Sequence, residues 1–231
     1  MAFNYSPKPV IDSSLVLYLD AANPRSYVSG SSVWTDVSRG GNTGALTNGP
    51  TYSSANGGSI VFDGSNDYVS VPATNTISSA FTISTWMKNN GGTNKEIACK
   101  YSTATPSLRQ FEFWVEGAGQ VSIYAYGSGV AGWRTSTKII NDNKIYNIVG
   151  VFSGANSLLN IYINSIIDNG ALNGTVPSSV NISSQNIEIG RYDGGGYFNG
   201  NISNVSIYNR ALSATEVRQN YNALKGRYGL R

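Results

Sequence analysis

Two glutamates on one short segment are the residues best spaced to do chemistry. The run Glu112-Phe113-Trp114-Val115-Glu116 alternates as a strand does, so Glu112, Trp114 and Glu116 share one face. Paired carboxylates can cleave a glycosidic bond, one as nucleophile and one as acid. That work needs them ~5 Å apart with one pKa raised, whereas four residues of extended chain hold these two ~13 Å apart. Two solvated strand carboxylates are therefore expected. Histidine is absent from all 231 residues, which removes the commonest general base, the Ser-His-Asp and Cys-His arrangements, and nearly every zinc or non-haem iron site. The one cysteine, Cys99, permits no internal disulfide, Cys₄ zinc site or iron-sulfur cluster, and reads as a small buried hydrophobe. The oxygen-rich run Asp63-Gly64-Ser65-Asn66-Asp67 lacks the Gly and closing Glu of a helix-loop-helix calcium loop, since Tyr68 stands at the Gly position. A hairpin turn is expected there.

Recognition is the other chemistry on offer. Arg191-Tyr192-Asp193-Gly194-Gly195-Gly196-Tyr197-Phe198 sets two tyrosines and a carboxylate about a glycine hinge, and Tyr124, Tyr126 and Trp133 flank a second glycine-rich loop. Aromatic faces with polar neighbours suit a small ligand, and Tyr, Asn, Ser and Gly suit adaptable protein contacts. Trp133, Tyr192, Asp193 and Tyr197 are the candidate glycan-binding or partner-binding residues. Trp34, Trp86 and Trp114 are assigned to the core.

Composition excludes functions more than it assigns one. Charged residues make up 13%, against ~25% in typical globular chains, and the neutral polar surface comes from 31 Ser, 26 Asn and 26 Gly. The net charge is +3 with the basic residues scattered, so the footprint of a nucleic-acid binder is missing. From Arg210 onward five basic residues oppose Glu216, giving +4; a basic tail of this kind is either a solvated helix face or a docking point. No stretch approaches 18 apolar residues, and Met1 to Tyr5 lacks a basic start and apolar run. A soluble protein made in a cytoplasm, without membrane insertion, is expected.

The elements that must position these residues are strands. The hydrophobic pattern has period two nearly throughout, broken by Gly, Asn and Ser clusters. Strand candidates are 15–19, 59–63, 68–71, 81–87, 96–101, 110–116, 120–126, 132–137, 145–152, 158–163, 182–189 and 202–208. No helical crossovers are available for a parallel sheet, so an antiparallel sandwich is required. Leu158 to Ile167 reads as two strands about an Asn164-Ser165 turn, because Asn tolerates positive φ. Ser213-Ala214-Thr215-Glu216 has capping-box spacing, with Leu212 and Val217 as a hydrophobic staple. Val217, Tyr221 and Leu224 then form one stripe, which predicts a helix over 214–224. The chain divides into an arm (1–14), one domain (15–224) and a basic tail (225–231), with the two chain ends emerging close together.

These segments carry a resemblance. Leu17-Tyr18-Leu19-Asp20-Ala21-Ala22-Asn23, Trp34-Thr35-Asp36, Phe62-Asp63-Gly64-Ser65-Asn66-Asp67-Tyr68-Val69, Phe81-Thr82-Ile83-Ser84-Thr85-Trp86, Ile161-Tyr162-Ile163-Asn164, Ile189-Gly190-Arg191 and the run Phe198 to Ser213 together resemble the laminin-G-like jelly roll of the concanavalin A-like lectin/glucanase superfamily. The resemblance implies an all-β, two-sheet antiparallel sandwich with one short C-terminal helix. Short versions resemble virion proteins of marine and cyanobacterial tailed phages. This implies a non-enzymatic capsid decoration or tail-fibre module, localised to the virion, that binds other virion subunits or itself and, in a lectin-like way, cell-surface glycans. The alternative is a glycoside hydrolase of the same fold, but the family's catalytic Glu-x-Asp-x-Glu strand here carries Trp114 at its centre. Family members often hold a structural calcium; Asp20 and Asp63-Gly64 match two ligands, while Ser203 stands where the acidic third would be. No cofactor is expected.

Overall fold

The structure, a computed structural model, describes residues 8–73, 77–92 and 94–231. In chain order the strands are β1 (Leu15–Asp20), β2 (Val33–Trp34), β3 (Gly44–Thr47), β4 (Thr51–Ser53), β5 (Ser59–Asp63), β6 (Tyr68–Val71), β7 (Ala80–Asn89), β8 (Lys95–Lys100) and β9 (Phe111–Val115). They continue with β10 (Gln120–Gly127), β11 (Val130–Ile139), β12 (Ile145–Ser153), β13 (Leu158–Ile163), β14 (Ile166–Ile167), β15 (Leu172–Gly174), β16 (Ile187–Ile189) and β17 (Asn199–Tyr208). The helix α1 spans Ala214–Leu224. The eight-stranded sheet runs β14-β13-β12-β7-β17-β5-β4, with β1 also pairing β17; the nine-stranded sheet runs β15-β11-β10-β9-β8-β16-β6-β3-β2. The pairings are antiparallel, giving the two-sheet jelly roll that the period-two pattern requires.

The core lies between the sheets, where alternate residues of each strand interdigitate. Leu17, Phe62, Phe81, Phe113, Ile123 and Val205 belong to it and are essentially inaccessible, as is Trp34. The sheets approach so closely that a Cβ on Gly150 would lie 2.3 Å from Ile123 Cδ1, so β12 carries no side chain at the point where β10 presses on it.

A second apolar cluster covers the outer face of the eight-stranded sheet. Leu15, Val149, Val151, Tyr208, Leu212 and Val217 form it, and α1 lies over it. The capping box is complete: the Glu216 amide donates to Ser213 Oγ, and Glu216 Oε2 accepts from the Ser213 amide at 2.9 Å. The arm residues described here are tied to the helix. The Val10 amide donates to Asn220 Oδ1 at 2.7 Å, and Arg210 bridges Asp12 (2.8 Å) and Glu216 (2.7 Å). The described arm residues thus meet the C-terminal helix. The basic segment also folds back. Lys225–Tyr228 forms a 3-10 turn in which Arg227 pairs with buried Asp20 at 2.8 Å and Tyr228 stacks on Trp86.

Some sequence expectations shift. Asn164 and Ser165 both take positive φ (52° and 66°), making the expected hairpin between β13 and β14. The strand expected over 182–189 shrinks to β16, because Ile182 is exposed and only 187–189 find partners. Short strands β2, β3, β4 and β15 were not anticipated.

Candidate binding site on the nine-stranded sheet

Period-two alternation builds the site. In β9, Phe111, Phe113 and Val115 enter the core while Glu112 and Trp114 turn outward. Pairing aligns them with outward residues of neighbouring strands. One row crosses the sheet as Trp133, Tyr124, Glu112, Cys99, Glu188 and Ser70. The next row carries Thr135, Ser122, Trp114 and Glu96.

On these rows stands an unbroken aromatic arc. Trp133 stacks on Tyr124 at 5.6 Å and Tyr124 on Tyr126 at 6.1 Å, each pair within 10° of parallel. Tyr126 meets Tyr101 edge-on at 5.9 Å, Tyr101 meets Tyr192 at 6.0 Å, and Tyr192 leans on Trp114 at 6.4 Å. All six are half-buried. A groove of about 390 Å³, lined by Arg109, Tyr126 and Ala131, opens beside the arc. A second of about 240 Å³, lined by Tyr101, Asn186, Arg191 and Asp193, lies on its other side.

Carboxylates sit within this curve. Tyr126 donates a short hydrogen bond to Glu112 Oε2, and Tyr124 donates to Glu116 Oε1 at 3.2 Å. Burial pushes the Glu112 carboxyl up to about 7, against the pull of the Tyr126 hydroxyl and Arg109. Glu96 is completely buried, and desolvation, reinforced by Glu112, raises it well above the usual carboxylate range. Its Oε1 accepts from the Phe113 amide at 3.2 Å, while Oε2 and the Trp114 indole N–H have no partner among the described residues. Burial also drives the Cys99 thiol far up, so it is no nucleophile. Arg109 stacks over Tyr101 at 4.6 Å and Arg191 over Tyr68 at 3.5 Å, with Arg191 paired to Glu188 at 3.0 Å.

Of the four expected site residues, Trp133 and Tyr192 stand in one arc. Asp193 is exposed at its rim, accepting from Thr103 Oγ1 at 3.3 Å. Tyr197 lies against Arg191 and makes no ring contact with the arc among the described residues. The loop reaches over the sheet because Gly194, Gly195 and Gly196 take positive φ (110°, 151° and 62°) and the Gly196 carbonyl accepts from the Glu96 amide at 2.8 Å.

Three assignments are corrected. Trp114 is not in the core: alternation turns it outward, under Tyr192. Glu112 is not a solvated carboxylate, since burial desolvates it and the Tyr126 hydroxyl holds it. Trp86 is buried, but beneath Tyr221 and Tyr228 outside the inter-sheet core. Tyr101 and Arg109 were missed; they arrive from the segment between β8 and β9, and no spacing announces them.

The residues matched to a calcium site do not fit an ion. Asp20 receives both Arg227 nitrogens (2.8 and 3.1 Å) and the Ala22 amide. Asp63 caps its own turn, accepting from the Ser65 amide at 2.8 Å.

An all-β sandwich with an aromatic outer face defines a lectin-like fold. A family profile, Laminin_G_3 of the Concanavalin A-like lectin/glucanases superfamily, matches residues 63–218, and the chain belongs to that family. A search of curated proteins gives no match. Among solved structures the chain is similar to the binding domain of Paraclostridial Mosquitocidal Protein 1 (TM-score 0.70, 15% identity, 91% of this chain and 52% of that one). It is similar to the binding domain of Botulinum Neurotoxin DC in complex with SialylT (TM-score 0.69, 14%, 92% and 52%). It also resembles domain 4 of AbnA, a GH43 extracellular arabinanase from Geobacillus stearothermophilus, in complex with arabinotriose (TM-score 0.68, 16%, 90% and 98%). The chain spans about half the length of the two toxin binding domains, and at these identities the likeness is one of fold.

Proposed function

We propose that this chain is a non-enzymatic carbohydrate-recognition module that binds glycan on the outer face of the nine-stranded sheet. The observation that carries the reading is the continuous arc from Trp133 to Trp114 enclosing Glu112 and flanked by two grooves. Aromatic faces supply apolar contact for the C–H faces of sugars, and a few fixed polar groups set orientation. Neighbours of the same fold solved with SialylT and arabinotriose add support.

Binding without turnover is favoured over hydrolysis. Glu112 and Glu116 lie four residues apart on one strand segment, too far for a nucleophile and acid. Each is engaged by a tyrosine hydroxyl. The setting proposed is a phage virion appendage or decoration, in contact with other virion subunits or with itself; the family resemblance of the sequence supports it, and capsid or tail genes beside this one would add weight.

A glycan array read with labelled protein tests the central reading. Binding to a defined set of oligosaccharides is expected, lost in Trp133→Ala and Tyr124→Ala. Retention of binding in both variants would place the site elsewhere. Release of reducing ends from bound glycan, abolished by Glu112→Gln, would promote the hydrolase reading.

A further inference from the structure

The two grooves beside the aromatic arc differ in charge. The one of about 240 Å³ is lined by two carboxylates, Glu188 and Asp193, and its guanidinium, Arg191, already pairs with Glu188 at 3.0 Å. The one of about 390 Å³ has Arg109 as its charged side chain and, among the described residues, no carboxylate in its lining. A guanidinium has five N–H groups. Arg109 donates from Nε to the Ser102 carbonyl (2.9 Å) and once from Nη2 to the Thr103 carbonyl (3.3 Å), which leaves three without a partner among the described residues. It makes no ion pair there either. Glu112 acts on it only from a longer distance, with its carboxylate held by the Tyr126 hydroxyl. Arg109 is also fixed in place. Its guanidinium covers Tyr101 at 4.6 Å. Asn181 donates from Nδ2 to the Arg109 carbonyl at 2.9 Å and from its amide to the Tyr126 carbonyl at 2.8 Å, so cation and aromatic ring meet the groove together.

Resting on the glycan-binding reading, we infer that this larger groove takes an acidic saccharide, its anionic group, carboxylate or sulfate, on the Arg109 guanidinium and its ring against Tyr126 and Ala131. The guanidinium fork presents paired N–H groups to two oxygens of such an anion, and charge-assisted bonds are stronger than neutral ones. Ser107, Ser128 and Asn181 also line the groove and bring further donors. The smaller groove disfavours the same ligand, because Glu188 and Asp193 meet it with like charge and Arg191 is already neutralised.

The test uses the full chain at about pH 6, below the value of about 7 to which burial raises Glu112, so that this neighbouring carboxylate is mostly protonated. Calorimetry compares trigalacturonate with its methyl ester, and a sulfated disaccharide with its unsulfated parent. In at least one pair the charged member is expected to bind roughly tenfold more tightly, the scale of a charge-assisted hydrogen bond. Added salt should shrink that preference. Arg109→Gln should erase it and leave the affinity for the neutral member unchanged, while Arg109→Lys, which keeps the charge without the fork, should retain part of it. If Arg109→Gln weakens both members alike through its lost contact with Tyr101, Ser128→Glu decides, because this exposed position lines the groove and touches none of the bonds that hold Arg109. A carboxylate there should erase the preference, and an unchanged preference would overturn the inference. Charged members binding no more tightly than neutral ones in both pairs, or a preference that survives Arg109→Gln, would also overturn it while leaving glycan binding intact. Binding to no saccharide at all would take down the proposed function itself.

Discussion

Trp86 and Trp114 occupy matching places on the two sheets, each on the outer face of a central strand, and the molecule treats them oppositely. Trp86 is 1% exposed, clamped by Tyr228 at 4.2 Å and Tyr221 at 5.4 Å. Trp114 is half-buried, and among the described residues its one ring contact is the tilted one with Tyr192. The eight-stranded sheet has its outer face closed by the described part of the arm, α1 and the turn after it. Over the face of the nine-stranded sheet lie the glycine-hinged loop and the segment between β8 and β9 that brings Tyr101 and Arg109. Strand alternation puts an aromatic side chain outside the core in both cases. Whether the chain returns to cover it decides between a stabilising contact and a binding surface.

That contrast breaks most directly by truncating one tryptophan from each face. Trp86→Ala should cost about 3–5 kcal/mol, as large-to-small changes at buried aromatics do. At roughly 2–4 °C per kcal/mol for a chain of this size, thermal melting should show a loss near 10 °C, with glycan binding by the folded fraction unchanged. Trp133→Ala should move the melting temperature far less and abolish binding. If the two variants exchanged phenotypes, the division of labour between the faces would be refuted.

Arg227 anchors the closed face, so its removal is the next largest effect. Asp20 is 3% exposed, and Arg227→Met leaves that carboxylate buried without its cation. A cost of about 3 kcal/mol is expected. In a double-mutant cycle Asp20→Asn should recover part of it, since no buried charge then remains. Additivity of the two single changes would show that the pair is not coupled.

The two faces also differ in how far the sequence announces them. The capping box Ser213 to Glu216, the staple of Leu212 on Val217 and the Asn164-Ser165 turn are local patterns with local causes, and each folds as read. The outward row Glu112, Trp114, Glu116 is legible too, because alternation leaves no other face for residues flanked by Phe111, Phe113 and Val115. Hydrophobicity alone assigns Trp114 to the core, and alternation overrides it. What alternation cannot reveal is the environment of the outer face. Glu112 is buried and held by the Tyr126 hydroxyl from the next strand, and Tyr192 comes from about 80 residues further along the chain; such contacts exist only once the strands are in register. Strands of two to four residues, such as Val33–Trp34 and Leu172–Gly174, are too short to show any period.

Acid-base behaviour should separate the faces along the pH axis. Glu112 on the open face is held near 7, against an ordinary value of 4.5. The folded state therefore keeps a proton that the unfolded chain releases, so its contribution is complete below about 4.5 and declines as pH rises to 7. On the closed face Asp12 is lowered to about 2 by hydrogen bonds from Ser14 and then Arg210, and Glu216 is lowered to about 2 chiefly by its hydrogen bond with Arg210. Their contribution is complete above the ordinary carboxylate value and is lost as pH falls toward 2. Melting temperature against pH should climb from 2 to 4.5 and decline from 4.5 to 7. Glu112→Gln should shallow the upper limb and leave the share of Glu96, which burial also raises, while Arg210→Met should shallow only the lower and leave Ser14's share in lowering Asp12. A variant that flattens the other limb would show that the titrating groups are assigned to the wrong faces.

The smallest effect expected is that of removing calcium. An ion that binds only the folded state stabilises it by RT ln(1 + [L]/K_d), so a resident calcium would reveal itself as a large drop in melting temperature on adding chelator. Here the first-strand carboxylate that would coordinate it already holds Arg227 through two nitrogens, and the Ala22 amide at 3.0 Å. Asp63 is turned into its own backbone at Ser65 and Asn66, and position 203 supplies a hydroxyl where an acid would be needed. The guanidinium thus performs on the closed face the charge neutralisation that a cation would. Chelator should change the melting temperature by less than about 1 °C, within what surface effects produce. The same addition to Arg227→Met separates two cases. No response there means that the site lacks ligands altogether, whereas a calcium-dependent rise would mean that Arg227 occupies a place an ion can still take. A fall of many degrees in the unaltered chain, reversed by calcium, would show that the ion and Arg227 do not compete and that the closed face is held by both.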